Sequence, residues 1–313
     1  MINVRCNLCG HDNWRVRYPS TLHQNGRIDV DAFRCTNPGY GRHAQIVDCL
    51  NCGFVYATPR WSENELMGAY EAVEDATYVA ARQGRELTFK RHLGALEKQI
   101  GVGNGRSLLD IGAYIGIFVE IAAAAGWDAM GVEPSEWAAA EAQKKGINVI
   151  HGTQDAPPLQ GRQFDVVTMW DVIEHVDDPS GEMAKAYQLL KPGGWLVVHT
   201  MDIDSMAARL LRSRWPWLMD MHIHYFSDST MKQMLEKNGF DVVWSGAQGR
   251  YSTMHYLATR VQAFNQPLGR MAISLVRGLR LGETAVSINM GDLFTVYAQK
   301  REEPKGFYSN SRS

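Results

Sequence analysis

Two cysteine pairs near the start of the chain have the composition and spacing of a metal site. The pairs are Cys6/Cys9 and Cys49/Cys52, and a glycine follows each of them. A Cys-x-x-Cys-Gly turn points two sulfurs the same way, because glycine adopts the backbone angles that the turn requires. Two such turns supply four thiolates for a structural zinc, with no coordination position left for catalysis. The sequence therefore predicts a zinc ribbon with a long inserted hairpin; four unmetallated thiols are the alternative.

The remaining candidates for this metal site are weaker. Cys35 is a spare thiol, and the histidines of the same segment are His11, His23 and His43. None of them has the paired spacing of the four cysteines, so they are secondary candidate ligands.

A glycine-rich turn follows a short apolar segment in the middle of the chain. Residues 107–111 lead into Gly112 and Gly116, and Glu133 ends the next apolar segment. Glycine lets the backbone turn tightly beside a ligand, and a carboxylate at the end of the second strand can accept hydrogen bonds from ribose hydroxyls. The pattern indicates a nucleotide-containing cofactor without identifying it.

The elements that must position these residues alternate regularly from residue 106 onward. Strands are predicted at 107–111, 128–133, 147–150, 164–170, 194–200, 240–246 and 291–298. Helices are predicted at 115–125, 135–145, 179–191 and 228–238. This alternation is typical of an α/β fold, with a parallel sheet covered by helices on both faces.

Four motifs arrive in order along this region. They are Asp110-x-Gly112-x-x-x-Gly116, Gly131-Val-Glu133-Pro-Ser135, the run from Phe164 through Trp170-Asp171 and Glu174-His175 to Pro179, and Leu190-Lys-Pro-Gly-Gly194. The set resembles class I S-adenosylmethionine-dependent methyltransferases, near the ubiquinone O-methyltransferase type, over roughly residues 100–245 plus the final strand. The resemblance implies a Rossmann-like, seven-stranded, mostly parallel sheet whose last strand is antiparallel. It also implies S-adenosylmethionine as the cofactor.

The resemblance assigns roles to residues of the cofactor site. Gly112 and Gly116 would shape the loop under the methionine part, and Glu133 would hold the ribose. Gln154 or Asp155 would meet the adenine amine. The full implied set is Asp110, Gly112, Ala113, Tyr114, Gly116, Glu133, Pro134, Gln154, Asp155, Trp170 and Asp171. Structural roles stay open for Asp110 as a turn stabiliser, Glu133 as a helix starter and Asp155 as a loop carboxylate.

One position departs from the pattern of these enzymes. Tyr114 stands where the central glycine of the loop is expected. Its ring must therefore point away from the cofactor or stack over it.

The acceptor is expected outside the carboxyl ends of the parallel strands. Methyl transfer to oxygen or nitrogen requires removal of a proton, and histidine is suited to that task near neutral pH. His175 is the first candidate base, followed by His222 and His224. A structural role for His175 stays open, as does a metal at His222-x-His224.

The chain is predicted to have four parts. Residues 1–60 form the zinc ribbon, 61–100 a helical linker or cap that starts at a Ser62/Glu65 capping box, and 101–300 the methyltransferase domain. An amphipathic insertion or lid is expected at about 248–288, and 301–313 is expected to be a flexible tail.

Two stretches bear on the acceptor. Arginines mix with tryptophans between Arg209 and Trp217, and an apolar helical stripe runs from Leu268 to Leu279 with arginines beside it. Such stretches can contact an anionic membrane surface or cover a phosphate-bearing substrate, or can be an ordinary lid or homodimer surface. A zinc ribbon before such a domain looks like methyltransferases of bacterial surface-polysaccharide and nucleotide-sugar pathways. The predicted acceptor is thus a nucleotide sugar or a lipid-linked or other surface-glycan precursor.

Composition limits the other options. The 313 residues are 45% hydrophobic and 21% charged, with a formal charge of −2, which excludes disordered and fibrous classes and disfavours a nucleic-acid partner. The chain has no long apolar run and no visible signal peptide, so a cytoplasmic location is expected, with peripheral contact at the inner membrane left open. An RNA methyltransferase that uses the ribbon as an RNA clamp is one alternative. A non-catalytic cofactor-binding scaffold is the other.

Overall fold

The computed structural model describes residues 1–22, 28–37, 39–80 and 82–301. The strands are β1 (Trp14–Tyr18), β2 (Ile46–Cys49), β3 (Val55–Ala57), β4 (Ser107–Ile111), β5 (Asp128–Glu133), β6 (Val149–His151), β7 (Phe164–Trp170), β8 (Leu190–Met201), β9 (His224–Tyr225), β10 (Phe240–Ala247), β11 (Arg250–Thr253), β12 (Ala285–Ile288) and β13 (Leu293–Lys300). The α-helices are α1 (Glu63–Glu71), α2 (Ala76–Ala80), α3 (Arg82–Ile100), α4 (Ile117–Ala124), α5 (Glu136–Lys144), α6 (Pro179–Leu189), α7 (Met206–Leu211), α8 (Asp228–Lys237), α9 (Met254–Phe264) and α10 (Gln266–Gly278). Short 3-10 helices cover Val30–Phe33, Pro157–Leu159 and Arg212–Arg214.

The central sheet has seven strands in the order β10-β13-β8-β7-β4-β5-β6. Strands β4 to β8 run parallel, whereas β13 is antiparallel to both β8 and β10. The order confirms the predicted fold, with its antiparallel last strand. Strand β7 is buried over almost its whole length, as expected for a strand covered on both faces.

Local sequence explains where the helices of this domain begin. The side chain of Ser135 accepts from the Ala138 N–H at 3.3 Å and caps α5. Asp178 accepts from the Gly181 N–H at 2.9 Å and caps α6. These caps satisfy amide groups that have no partner within the helix, and they fix the chain where it leaves the sheet.

The predicted helical segment before the sheet consists of α1, α2 and α3. The Glu65 carboxylate accepts from the Ser62 N–H at 2.9 Å, which matches the predicted start of α1. On α3, the Thr88 hydroxyl accepts from the Tyr251 N–H at 2.8 Å, so this helix is tied to β11. Strands β11 and β12 pair with each other, and the α9–α10 hairpin connects them within residues 248–288.

The N-terminal sheet has the order β1-β2-β3-β9, and its last strand comes from the middle of the chain. Tyr56 of β3 is paired with His224 of β9. The buried Arg60 guanidinium also lies 2.9 Å from the Asp177 carboxylate. Residues 1–60 thus share a sheet and a buried ion pair with the residues that follow β7 and β8, which sequence periodicity did not indicate.

No helix within the described residues has the length and apolar character needed to cross a membrane. The predicted tail at 301–313 lies outside the described residues, apart from Arg301.

Candidate active site

A cavity of about 680 Å³ opens at the carboxyl ends of the parallel strands. Its wall includes the loops after β4, β5, β7 and β8, together with parts of α1, α3, β11 and α9. This is the edge of an open α/β sheet where ligands bind. The volume is in the range of pockets that hold small molecules and cofactors.

The loop after β4 depends on left-handed backbone at its glycines. Gly112 has φ +69°, and a Cβ there would lie 2.6 Å from Val172 Cγ2. Gly116 has φ +73°, and a Cβ there would lie 2.7 Å from Ile147 Cγ2. Both positions therefore require glycine for conformation and for space. The turn places the backbone between β4 and α4 against the cavity. A loop that binds a cofactor needs this close approach of backbone to ligand.

Tyr114 has a left-handed backbone, with φ +50°, in the region that favours glycine. Its ring packs edge-on against Tyr78, with centroids 4.4 Å apart and an interplanar angle of 68°. Ring packing holds a left-handed conformation that a non-glycine residue rarely adopts.

Glu133 is fully buried and links the glycine loop after β4 to the turn after β5. Its carboxylate accepts from the Tyr114 N–H at 2.8 Å and from the Ser135 N–H at 2.8 Å. Burial raises the pKa of Glu133 to about 7, although these hydrogen bonds and one from Tyr70 act in the opposite direction. The predicted ribose ligand is therefore also a structural part of the loop.

Asp110 is buried at the end of β4 and accepts a hydrogen bond from the Thr168 hydroxyl at 2.6 Å. Burial raises the pKa of Asp110 to about 8, with the Thr168 hydrogen bond opposing the shift. Two backbone contacts complete this wall: the Ala113 N–H donates to the Val132 carbonyl at 3.1 Å, and the Pro134 carbonyl lies 3.1 Å from His151 Nε2.

The two candidates for the adenine contact differ in their environment. Gln154 is buried, donates to the Glu182 carboxylate at 2.5 Å and leaves its Oε1 without a partner. Asp155 is exposed and paired with Lys185 at 2.7 Å. Both line the cavity. The free buried acceptor on Gln154 is a position where an amine donor of a ligand would fit.

Trp170 and Asp171 end β7 at the cavity. Trp170 is buried between Phe118 and His92, with centroid distances of 5.0 and 4.8 Å, and its Nε1 has no hydrogen-bond partner. Asp171 has φ +54°, a strained backbone for a residue other than glycine. Strain of this kind is common where a side chain is positioned for a ligand.

His175 and His222 lie side by side in the cavity, with ring centroids 4.8 Å apart. His175 Nδ1 lies 2.9 Å from the Met221 carbonyl, and His222 Nδ1 lies 2.7 Å from the Trp217 carbonyl. A carbonyl only accepts, so each Nδ1 carries the proton and each Nε2 keeps its lone pair. Burial lowers the pKa of both rings, which are neutral near pH 7. Glu174 joins them with ligand atoms within 4.8 Å, a donor set that could hold a divalent cation.

His224 lies in a different place. Its ring stacks on Phe54 with centroids 5.6 Å apart, and Nε2 lies 3.3 Å from the Asp177 carbonyl. It is buried in β9, the last strand of the N-terminal sheet, and is not among the residues that line the cavity. The structure therefore separates the two histidines of the His222-x-His224 motif.

Two further histidines line the cavity, and sequence reasoning did not select them. His199 lies two residues before the end of β8, and His92 comes from α3, with their rings 4.7 Å apart. Burial lowers the pKa of each to about 3. The position of His199 near a strand end was a usable signal. His92 had none, because only the packing of α3 over the sheet brings it here.

The four cysteines Cys6, Cys9, Cys49 and Cys52 converge with all sulfurs within 4.8 Å of one another. Two cross-pairs, Cys6–Cys52 and Cys9–Cys49, have Sγ–Sγ distances of 3.5 Å. Zinc–sulfur bonds of about 2.3 Å place tetrahedral thiolates roughly 3.8 Å apart, so the cluster fits zinc.

The glycine after each cysteine pair has φ +77°, as the turn requires. His11 and His43 bond to nearby carbonyls, and Cys35 lines the cavity instead. His23 lies outside the described residues.

The chain is similar to known methyltransferases. A family model described as a methyltransferase domain matches residues 81–244. Ubiquinone biosynthesis O-methyltransferase of Methylococcus capsulatus is 37% identical over 114 residues, which are 34% of this chain and 48% of that protein. The enzyme of the same name from Pseudomonas fluorescens is 32% identical over 119 residues, 36% of this chain and 51% of that protein. The chain thus spans about half the length of these curated relatives.

Solved structures to which the chain is similar include a Thermotoga maritima protein described as an S-adenosylmethionine-dependent methyltransferase and possible histamine N-methyltransferase. It has 24% identity, a TM-score of 0.48, and coverage of 72% of this chain and 93% of that chain. The [4+2]-cyclase SpnF has 15% identity, a TM-score of 0.48, and coverage of 68% and 81%. On the family model and the sheet order together, the chain belongs to the methyltransferase domain family, with the class I fold of its S-adenosylmethionine-dependent members.

Proposed function

We propose that the protein transfers a methyl group from S-adenosylmethionine to a nucleotide sugar or another surface-glycan precursor. The observation that carries the methyltransferase assignment is the hydrogen bond from the Tyr114 N–H to the Glu133 carboxylate. This bond joins the glycine loop after β4 to the end of β5. This arrangement lies in a cavity that offers an unpaired buried acceptor on Gln154.

The residues present fit the cofactor. Glu133 would hold the ribose hydroxyls and Gln154 the adenine amine, while Gly112 leaves space for the methionine part beside Trp170 and Asp171. When bound, S-adenosylmethionine supplies a methyl group on a sulfonium, which is already activated for transfer. The chain then has to align the acceptor, exclude water and hold a proton.

His175 and His222 are the proposed proton acceptors. In each ring Nδ1 donates a hydrogen bond to a backbone carbonyl, and both rings line the cavity. This pattern leaves Nε2 free to accept a proton from the acceptor, with the tautomer fixed in advance. His224 contacts the wall only from behind, where its Nε2 lies 3.3 Å from the carbonyl of the lining residue Asp177.

The acceptor class is inferred from the relatives and from the size of the cavity. The curated relatives are named as O-methyltransferases of ubiquinone biosynthesis, which favours a small acceptor with a hydroxyl group. The cavity volume of about 680 Å³ suits a cofactor with a small acceptor. The four-cysteine cluster is proposed to be a structural zinc site. The exposed apolar stripe of α10 is the proposed surface for contact with a second copy of the chain or with a membrane.

The test uses tritiated S-adenosylmethionine with an extract of a host that lacks the gene. The products are separated into nucleotide-sugar, lipid, polysaccharide, RNA and protein fractions. Label in the nucleotide-sugar or glycan fractions is the expected result. Label confined to RNA would favour the RNA methyltransferase, and no label with confirmed binding of S-adenosylhomocysteine would favour the scaffold.

A further inference from the structure

Three cationic side chains line the cavity: Arg85, Lys185 and Arg250. Lys185 is already neutralised, because it lies 2.7 Å from Asp155 and 3.0 Å from Glu182. Neither arginine has a carboxylate within ion-pair distance among the described residues. A cation that faces a cavity without a counter-charge is a feature of sites that bind anions.

Arg250 is held on an aromatic platform. Its guanidinium carbon lies 4.5 Å from the centre of the Trp217 ring. The Trp217 N–H donates to the buried Asp292 carboxylate at 2.9 Å, which fixes the orientation of the ring. Stacking on a fixed indole orders the guanidinium while leaving its N–H groups free to donate.

Arg85 is held in a similar way on α3. Its guanidinium carbon lies 3.5 Å from the centre of the Tyr78 ring, and its buried Nε has no hydrogen-bond partner. The two elements that carry the arginines are fastened together, because Thr88 of α3 bonds the backbone N–H of Tyr251 next to Arg250. Two ordered guanidinium groups therefore enter one cavity from adjoining elements.

Most carboxylates of the same cavity would not oppose an anion. Asp155 and Glu182 are paired with Lys185, and Asp177 is paired with Arg60. Asp178 caps α6 and accepts from the Asn7 amide at 2.7 Å.

The buried carboxyl groups and the buried histidine of the cavity are largely neutral, so they add little charge that would affect a bound anion. Burial raises the pKa of Asp110 to about 8 and raises the pKa of Glu174, so both favour the neutral form. Burial and the charge of Arg250 keep His199 neutral.

We propose that Arg250 and Arg85 form an oxyanion subsite that binds a phosphate group of the methyl acceptor. Two forked donors match a group with several negative oxygens, and each can form two parallel hydrogen bonds with it. Arg250 lies outside the matched residues 81–244, whereas Arg85 of α3 lies within them, so the subsite is formed between the insertion and the matched region. The inference rests on the proposed function and specifies which acceptors the site selects.

The test is titration of protein saturated with S-adenosylhomocysteine with inorganic pyrophosphate, and in a separate arm with malonate. The variants are Arg250→Gln, Arg250→Lys and Arg85→Gln. Arg277→Gln is the control, because Arg277 is exposed on α10 and does not line the cavity. We expect at least about a tenfold loss of pyrophosphate affinity in both glutamine variants, a smaller loss in Arg250→Lys, and none in the control.

Unchanged pyrophosphate affinity in Arg250→Gln, or no pyrophosphate binding by a wild-type protein that binds S-adenosylhomocysteine, would overturn the subsite. Tighter binding of malonate than of pyrophosphate would overturn the phosphate assignment in favour of a carboxylate. Retained S-adenosylhomocysteine affinity in each variant shows that it is folded. Failure of the wild type to bind S-adenosylhomocysteine would instead contradict the proposed function.

Discussion

His199 Nδ1 lies 2.8 Å from the Thr295 hydroxyl, which itself donates to Gln248 Oε1 at 2.5 Å. Because the hydroxyl proton is used on Gln248, the oxygen of Thr295 accepts from His199, and the lone pair of His199 sits on Nε2. That nitrogen lies 3.8 Å from the Asp171 carboxylate. Thr295 of the antiparallel strand β13 thus sets the tautomer of a histidine in the cavity.

The first prediction concerns this tautomer. Thr295→Val should cost about 1 kcal/mol in the free energy of unfolding and release the fixed Nδ1–H form of His199. Nitrogen-15 NMR of the imidazole reports which ring nitrogen carries the proton. The wild type should show His199 protonated at Nδ1 alone throughout the neutral pH range, since burial lowers the pKa of His199 to about 3. Thr295→Ser is the matched control, and an unchanged spectrum in the valine variant would contradict the assignment.

The second prediction separates the three candidate histidines. His175→Gln and His222→Gln should each lower kcat by about 10²-fold or more, since a positioned base contributes that much. His224→Gln should keep kcat and lower the melting temperature, because its ring packs on Phe54 away from the cavity. Steady-state kinetics and thermal unfolding on all three variants decide this. A larger kcat loss in His224→Gln than in His175→Gln would reverse the assignment.

The third prediction concerns pH and stability through Glu133. An unfolded glutamate ionises near its ordinary pKa, whereas burial raises the pKa of Glu133 to about 7 in the folded chain. The folded chain therefore binds more protons between these values, and its stability decreases as the pH rises through them. Urea unfolding of the cofactor-free protein from about pH 5 to pH 8 should show this decline, with a shallower slope in Glu133→Gln. A slope that is unchanged in the variant would assign the decline to other buried carboxyl groups, such as Asp110, whose pKa burial raises to about 8, and Glu174, whose pKa burial also raises.

The fourth prediction concerns the cysteine cluster. Purified protein should contain one zinc per chain, and Cys9→Ser should lose it. Losing the metal should lower the free energy of unfolding by about 3–5 kcal/mol, which would lower the melting temperature of a domain of this size by roughly 10 °C. Cys35→Ser is the control, because Cys35 is not part of the cluster. Full zinc content in Cys9→Ser would contradict four-thiolate ligation.

The sequence was sufficient for the central sheet because its parallel strands are buried on both faces and read as apolar runs. The predicted 107–111, 128–133 and 164–170 coincide with β4, β5 and β7. Tyr114 could not be placed, since its conformation depends on Tyr78 of a helix far from it in sequence. The same limit applies to His92 and to β9, a two-residue strand that exists only because β3 offers it an edge.

The role of the histidines was predictable only in part. His175 and His222 follow strand ends or precede a strand, where the rule for open α/β sheets points to a ligand. His224 is two residues from His222, yet pairing with Tyr56 places it within the N-terminal sheet, away from the cavity. Spacing along the chain does not distinguish two neighbours when a strand begins between them.

The pairing of β3 with β9 also limits how this protein can be divided. The N-terminal segment supplies the sheet edge on which His224 and Tyr225 rest, and Arg60 secures the Asp177 loop from the same side. Cutting or exchanging the chain at residue 60 would leave the His222 turn without its support. Chimeras that transplant acceptor preference between relatives should therefore move residues 1–60 and the stretch around β9 together, as one unit that is discontinuous in sequence.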